Sequence, residues 1–319
     1  WLNNLKNIDA PFPVGCFTCV TGVSGSGKSS LVTGLLYPAL EAALSHRPPA
    51  VPLALGGLEQ PHYLAGVTLV DQSPIGRTPR SNPVTYIKVY DEIRRLFAET
   101  RGAKKMGLSA GDFSFNTAGG RCETCGGAGM ERIEMQFMAD IFVPCEACGG
   151  KRFDRRVLRV EYNGATIDRV LDMTVNEAIE FFGADNRIGK PLWVLQSVGL
   201  GYIRLGQSAT TLSGGESQRL KIARHLCEPQ SGGRGRGRMF ILDEPTTGLH
   251  HQDTIRLLRV LDRLVDSGDS LVVIEHNPEV IVHADWIIDL GPGGGSRGGE
   301  LVARGTVHQV AACERSRTG

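Results

Sequence analysis

The chain has 319 residues, with 35 Lys+Arg against 34 Asp+Glu for a formal net charge of +1, and is 41% hydrophobic and 22% charged. That length buries a large core and suggests about two domains, and the near-neutral balance excludes a polycation. No apolar run approaches the ~18 residues of a membrane span and no charged start followed by an apolar stretch marks a signal peptide, so a globular, cytoplasmic protein is expected.

Cys16 to Val20 reads as a buried strand running into a glycine loop, Gly22 to Ser29. A helix is predicted from Ser30 to Leu44, ended by Pro48 and Pro49. A second strand spans Leu64 to Asp71. The character changes between about Ser81 and Leu195. There Tyr86, Tyr90, Ile93, Leu96 and Phe97 suggest a helix, while Ile133, Met135 and Phe137 alternate with Arg132, Glu134 and Gln136 as in a strand. Thr174-Val175-Asn176-Glu177 is a capping box opening a helix through Phe182. Another helix follows Thr211, to about Leu226. The run Ser231 to Arg238 reads as a surface loop. Met239 to Asp243 is a buried strand, followed by a helix over Thr254 to Val265 and a strand over Ser270 to Glu275. A last strand pair covers Trp286 to Leu290 and Gly299 to Ala303. Strands alternating with helices imply a parallel α/β sheet.

Gly22-Val23-Ser24-Gly25-Ser26-Gly27-Lys28-Ser29 fits the phosphate-binding pattern GxxxxGK[ST], between a strand and a helix that continues with Ser30. Its glycines let backbone N–H groups turn toward nucleotide phosphates, Lys28 reaches the β- and γ-phosphates, and Ser29 suits Mg²⁺. Ile241-Leu242-Asp243-Glu244-Pro245 ends an apolar strand with two carboxylates. Asp243 is expected in the Mg²⁺ shell and Glu244 as the general base toward water. Leu212-Ser213-Gly214-Gly215-Glu216 opens a helix, where free N–H groups suit a γ-phosphate. With Gln72 after the second strand and His276 after Val272-Val273-Ile274-Glu275, the order is that of an ABC-type ATPase. In such enzymes the LSGGE element serves the partner module's nucleotide.

Cys122-Glu123-Thr124-Cys125-Gly126-Gly127 is echoed by Cys145-Glu146-Ala147-Cys148-Gly149-Gly150, with 19 residues between the pairs. Four thiolates at this spacing match a tetrahedral, structural zinc site, with an iron–sulfur cluster as the competitor. Cys16 and Cys19 share the spacing, but residues three apart on a strand face opposite sides, so a structural role is expected there.

The expected fold is therefore α/β: an ABC-type P-loop ATPase sheet with an inserted zinc-binding and helical signature domain. Residues 1–80 form the first part of the core, 81–195 the insert and 196–319 the second part. From Arg77 to Arg169 there are 16 Lys+Arg against 12 Asp+Glu, densest at Lys151, Arg152, Arg155, Arg156 and Arg159. These side chains either solvate a strand edge or contact nucleic-acid phosphates.

The chain resembles the UvrA family of excision-repair ATPases, specifically its C-terminal ABC half. The resemblance is carried by Asn3-Asn4-Leu5-Lys6-Asn7, by Val70-Asp71-Gln72 through Asn82-Pro83, by Phe113-Ser114-Phe115-Asn116, by Gly199-Leu200-Gly201-Tyr202, by Leu212 to Arg219 and by Asp243 to His250. It spans essentially the whole chain, which reads as cut at both ends. Thr247-Gly248-Leu249-His250 is specific to the family, since transporter ATPases usually carry aspartate at the last position. The resemblance implies ATP, Mg²⁺ and zinc. It also implies damaged duplex DNA, a UvrB-type helicase and completion of the composite sites by an N-terminal ABC half or a second copy, with no membrane partner. The alternatives are a UvrA-like paralogue in drug self-resistance and a transporter's nucleotide-binding subunit. The cysteine insert and His250 argue against the transporter. A zinc-stabilised scaffold with dead motifs is a further reading, opposed by intact Lys28, Glu244 and His276.

Overall fold

The computed structural model describes residues 2–48, 55–76, 78–135, 141–183, 187–228 and 236–319. Strand β1 (Phe17–Gly22) is fully buried and ends in the glycine loop. Helix α1 (Lys28–Leu31) widens into a π-turn over Val32–Leu36 and resumes as α2 (Tyr37–Ser45). The single expected helix is thus interrupted. Pro38 has no N–H to give the preceding turn and its ring crowds the carbonyl four residues back, so the helix dilates just before it. Strand β2 (Gly66–Val70) follows.

The next segment carries α3 (Pro83–Tyr86), α4 (Tyr90–Glu99) and α5 (Arg101–Lys105), then the hairpin β3 (Met130–Ile133) and β4 (Ile141–Pro144). The strand expected through Met135 stops at Ile133, and Gln136 and Phe137 lie outside the described residues. A two-residue ribbon, β5 (Glu161–Tyr162) with β6 (Ala165–Thr166), leads to α6 (Ile167–Asp172), α7 (Val175–Phe182) and α8 (Gly189–Leu195). The capping box at α7 forms as expected: Thr174 N donates to Glu177 Oε2 at 2.8 Å and Glu177 N to Thr174 Oγ1 at 3.2 Å. The signature helix is α9 (Gly214–Cys227). Of the loop expected over Ser231 to Arg238, residues 231–235 lie outside the described residues, and Arg238 already begins β7 (Arg238–Asp243). The chain closes with α10 (His251–Asp266), β8 (Ser270–Ile274), α11 (Pro278–His283), β9 (Trp286–Gly291), β10 (Glu300–Gly305) and α12 (Val307–Ala311).

These elements form two compact units, Trp1–Gln72 with Pro229–Gly319, and Ser73–Glu228. The first division lies at Gln72/Ser73, where 80/81 was expected. The second falls after the signature helix rather than at residue 195, because α9 packs on α8 and on the turn Gln196–Leu200. The discontinuous unit holds a six-stranded sheet in the order β10-β9-β1-β8-β7-β2. Five strands are parallel and β10 runs antiparallel to β9 at the edge. Val20, Ile241, Val272, Ile274 and Ile288 meet Val32, Leu35, Leu36 and Leu40 in one apolar cluster. Helix α10 lies against β8. A sheet with both faces covered reads as continuous apolar runs, which is why these strands were visible without alternation.

The other unit is built around a buried aromatic group. The Tyr90 and Phe115 rings lie 4.9 Å apart, Phe97 and Phe113 5.5 Å, and Phe115 and Phe153 6.2 Å. The Tyr90 hydroxyl donates to Phe113 O at 2.7 Å, which satisfies the polar end of that buried ring.

Candidate functional site

In an open parallel sheet, ligand sites collect outside the carboxyl ends of the strands. Here β1, β8, β7 and β2 are consecutive neighbours, and the loops leaving those ends carry the glycine loop, His276, Asp243 with Glu244, and Gln72 respectively.

The glycine loop is held in a shape that only glycine permits at its first position. Gly22 sits at φ 131°, and a Cβ there would lie 2.0 Å from Leu290 O on the adjoining β9. Gly25 and Gly27 also have left-handed φ, at 74° and 107°. Lys28 is 7% exposed, and its ammonium donates to Gly22 O at 2.9 Å and Val23 O at 3.0 Å. Burial lowers its pKa, against the opposing pull of Glu244, Asp243 and Asp289. Of the other loop residues, Ser24 and Ser29 are exposed and Ser30 Oγ accepts from Asn3 Nδ2 at 2.8 Å.

Asp243 ends β7. Burial, followed by the adjacent Glu244 carboxylate, raises its pKa, with Lys28 acting in the opposite sense. Glu244 adopts φ 46°, a left-handed conformation that costs a non-glycine residue on the order of 1–3 kcal/mol and concentrates at functional sites. Its N–H donates to Ile274 O at 2.9 Å, which ties the turn to the end of β8. Gln72 Nε2 donates to Asp243 O at 3.4 Å. His276 Nε2 stands 3.5 Å from Glu244 Oε1.

Ser213, Gly214 and Gly215 lie in the other unit. Ser213 caps α9: its Oγ accepts from Glu216 N at 3.2 Å, and Glu216 Oε2 accepts from Ser213 N at 2.7 Å.

The four thiols of Cys122, Cys125, Cys145 and Cys148 all lie within 4.8 Å of one another. Cys125 Sγ and Cys148 Sγ are 3.8 Å apart, the ~3.8 Å edge that ~2.3 Å Zn–S bonds give in a tetrahedron. The two CxxCGG turns repeat one geometry. Gly127 N donates to Cys122 O at 3.1 Å and Gly150 N to Cys145 O at 3.2 Å, and all four terminal glycines have left-handed φ. Gly129 N reaches Cys125 Sγ at 3.3 Å. The donor set therefore fits one zinc ion. Cys19 is buried in β1, where burial pushes its thiol pKa up, and it is not in this cluster.

No family model matches the chain. Among curated relatives, UvrABC system protein A of Vibrio cholerae is 53% identical over 316 residues, 99% of this chain, and that of Methanothermobacter thermautotrophicus 54% over 313 residues, 97% of this chain. The Escherichia coli K12 protein of that name is 52% identical over 317 residues, 99% of this chain. The chain belongs to the UvrA family. It spans about a third of the length of these relatives (33%, 32% and 33%). The crystal structure of UvrA2 from Deinococcus radiodurans superimposes with a TM-score of 0.87 at 48% identity, over 99% of this chain and 38% of that one. The fold class expected from the motifs is that of the family.

Several residues of this UvrA-family chain support the site without any motif to announce them. Asn4 Nδ2 donates to Gly25 O at 2.8 Å and to Gly295 O at 3.1 Å. Gly295 N donates to Gly25 O at 3.0 Å, and Gly299 N to Ser26 O at 2.9 Å. A Cβ on Gly299 would lie 1.7 Å from Asn4 O. The glycine run after β9 is therefore a brace beneath the phosphate loop, and the density of glycine there was its only sequence signal.

The basic run beside the second cysteine pair divides. Arg152 turns inward: its Nη2 donates to Gly206 O at 3.0 Å and its guanidinium lies 5.3 Å from the centre of the Phe115 ring. Arg156 pairs with Asp154 at 2.9 Å and also donates to Gly119 O. Lys151 stands 3.7 Å from Asp168. Arg155 and Arg159 are exposed and make no ion pair among the described residues. Lys151, Arg155 and Arg156 line a cavity of about 490 Å³ next to the thiols, with Arg121.

Proposed function

We propose that this chain is an ATP-hydrolysing part of a DNA-damage-recognition protein of bacterial nucleotide excision repair. The observation that carries the reading is the convergence of Lys28, Asp243, Glu244, His276 and Gln72 on four adjacent strand ends, in a chain about half identical to proteins named for the UvrABC system.

In this reading Lys28 leaves the carbonyls of Gly22 and Val23 and donates to the β- and γ-phosphates of ATP, while the N–H groups from Ser24 to Ser30 surround them. Ser29 and Asp243, with Gln72 beside them, would hold Mg²⁺, which would supply positive charge against the phosphates. Glu244 accepts the proton of the attacking water, and His276 holds the Glu244 carboxylate and the γ-phosphate region in register. Ser213, Gly214 and Gly215 serve the nucleotide of a partner module, supplied by an N-terminal ABC half or a second copy. Zinc on the four cysteines is structural, because four thiolates leave no open position. The DNA ligand is distorted duplex and the further partner a UvrB-type helicase, in the cytoplasm, where thiols stay reduced.

Against the transporter alternative stand the Cys122, Cys125, Cys145 and Cys148 cluster inserted between Gln72 and Ser213, and His250 where transporter ATPases usually carry aspartate. The experiment is phosphate release from ATP by the full-length protein with intact and lesion-bearing duplex. Turnover that responds to the lesion is expected, and turnover indifferent to any DNA would reject the repair assignment.

A further inference from the structure

One buried carboxylate beside this site, Glu275, has no place in the reaction just described. Glu275 is 3% exposed, at the end of β8. Its Oε1 accepts from Thr246 N at 3.0 Å and from Thr246 Oγ1 at 2.5 Å. Its Oε2 accepts from His276 N at 2.9 Å and from Asn277 N at 3.2 Å. A carboxylate offers about four lone-pair directions, so this one is saturated by four donors, two from each of two loops. One loop follows β7 and carries Glu244 two residues before Thr246; the other follows β8 and begins with His276.

The two segments also meet at the Glu244–His276 pair and, farther along the chain, at His251 and Glu279. The Glu244 N–H to Ile274 O bond fixes only the start of the β7 turn, and Glu244 itself is held at φ 46°, outside its relaxed conformations. A residue in that region persists only where its surroundings over-determine it. Glu275 supplies that determination on the side away from solvent, while the Glu244 and His276 side chains, 45% and 46% exposed, face the site.

We infer that Glu275 is a positioning residue for ATP hydrolysis: by clamping the Thr246 and the His276–Asn277 backbones together it sets the Glu244–His276 separation and so the aim of the general base. This rests on the hydrolytic reading above. With Glu275 buried and its carboxylate oxygens taken up by Thr246, His276 and Asn277, it acts through Glu244 and His276. The side chain is a carboxylate rather than an amide because every partner is a donor. A glutamine has the same volume but turns an NH₂ toward one of the two loops, so half of the clamp becomes repulsive.

The test is Glu275→Gln in the full-length protein, with steady-state ATPase kinetics and fluorescent-nucleotide affinity. kcat falls about 10- to 100-fold, the scale that misplacing a catalytic group costs, while nucleotide affinity and KM stay within about threefold, because binding and aim are separate contributions. In a His276→Ala background the same substitution costs less than about threefold, since the Glu244–His276 separation it sets no longer exists. Hydrogen exchange at the Thr246, His276 and Asn277 amides speeds up in Glu275→Gln. Thr246→Val, which deletes one donor and keeps the shape, gives a smaller kcat loss of the same kind and serves if Glu275→Gln does not fold. An unchanged kcat, or an equal loss with and without His276, overturns the role of Glu275 alone. A parent protein without turnover instead refutes the hydrolytic reading on which the role rests.

Discussion

His276 Nε2 lies 3.5 Å from Glu244 Oε1, across the ends of two adjacent parallel strands. The strand register makes the meeting possible: Asp243 pairs with Ile274, so the residues after each leave the sheet side by side. A carboxylate and an imidazole meet there, beside the Lys28 loop, and the proposed general-base role of Glu244 draws on that meeting.

Lys28→Ala is therefore expected to abolish nucleotide binding, because the phosphate loop loses its cation. Glu244→Gln keeps binding and slows turnover by about 10²–10⁴, the usual contribution of a general base. Fluorescent-nucleotide titration and phosphate release separate the two. Equal turnover in Glu244→Gln and the parent would remove Glu244 from the mechanism.

What the sequence made legible was whatever depends on short spacing. The glycine loop, the paired carboxylates, the LSGGE turn and the two CxxCGG turns each carry their pattern within a few residues, so each can be read without coordinates. Contacts between distant segments left no such trace. Asn4 braces Gly295, and Glu275 holds Thr246, yet neither pair is close along the chain. The inward turn of Arg152 was hidden for the same reason, since Gly206 and Phe115 lie in other segments. The signature helix groups with the insert because it packs on α8, which no motif encodes.

Two glycines of the phosphate loop differ in what they tolerate. At Gly25, φ is 74° and a Cβ meets nothing closer than 3.5 Å, so Gly25→Ala costs only the left-handed backbone, about 1–2 kcal/mol. At Gly22 the added Cβ overlaps Leu290 O, and β1 must part from β9. Thermal melts should rank Gly22→Ala well below Gly25→Ala. Equal melting temperatures would mean that the β1–β9 contact gives way freely.

Asp243 carries a raised pKa, chiefly from burial and Glu244, so its ionised form destabilises the nucleotide-free protein. The sign follows from linkage: with the folded pKa above the unfolded one, the folded state binds more protons, and stability falls as pH rises through that window. Asp243→Asn should thus melt higher than the parent at neutral pH, with the gain shrinking as pH falls into the carboxylate range. The same variant should lose Mg²⁺-dependent nucleotide affinity. A melting temperature below the parent's at pH 7 would contradict the burial argument.

About one zinc per chain is expected on Cys122, Cys125, Cys145 and Cys148, measured by elemental analysis of the purified protein. Cys122→Ser with Cys148→Ser should remove it and loosen the unit Ser73–Glu228, because metal binding and folding are coupled in small thiolate modules. The sheet unit, with its own core, should keep its amide protection. Zinc content unchanged in the double variant, or near zero in the parent, rules the site out.

The basic run makes the last prediction. A sensor of many lesions reads backbone shape and deformability rather than base edges, so binding should be largely independent of sequence and fall steeply with salt. Of the run, Arg155 and Arg159 are exposed and make no ion pair among the described residues, whereas Arg152 is committed to Gly206 O and the Phe115 ring and Arg156 to Asp154. Arg155→Ala with Arg159→Ala should weaken both intact and lesion-bearing duplex, and each lost phosphate contact should reduce the log–log salt slope by roughly 0.9. Arg152→Ala should instead lower the melting temperature with the slope unchanged, because it removes a buried hydrogen bond and a cation–π contact. Titrations of both duplexes at several salt concentrations read all three proteins. If the Arg155/Arg159 double variant keeps the parent's affinity and slope, these side chains only solvate their own surface and the DNA path lies elsewhere.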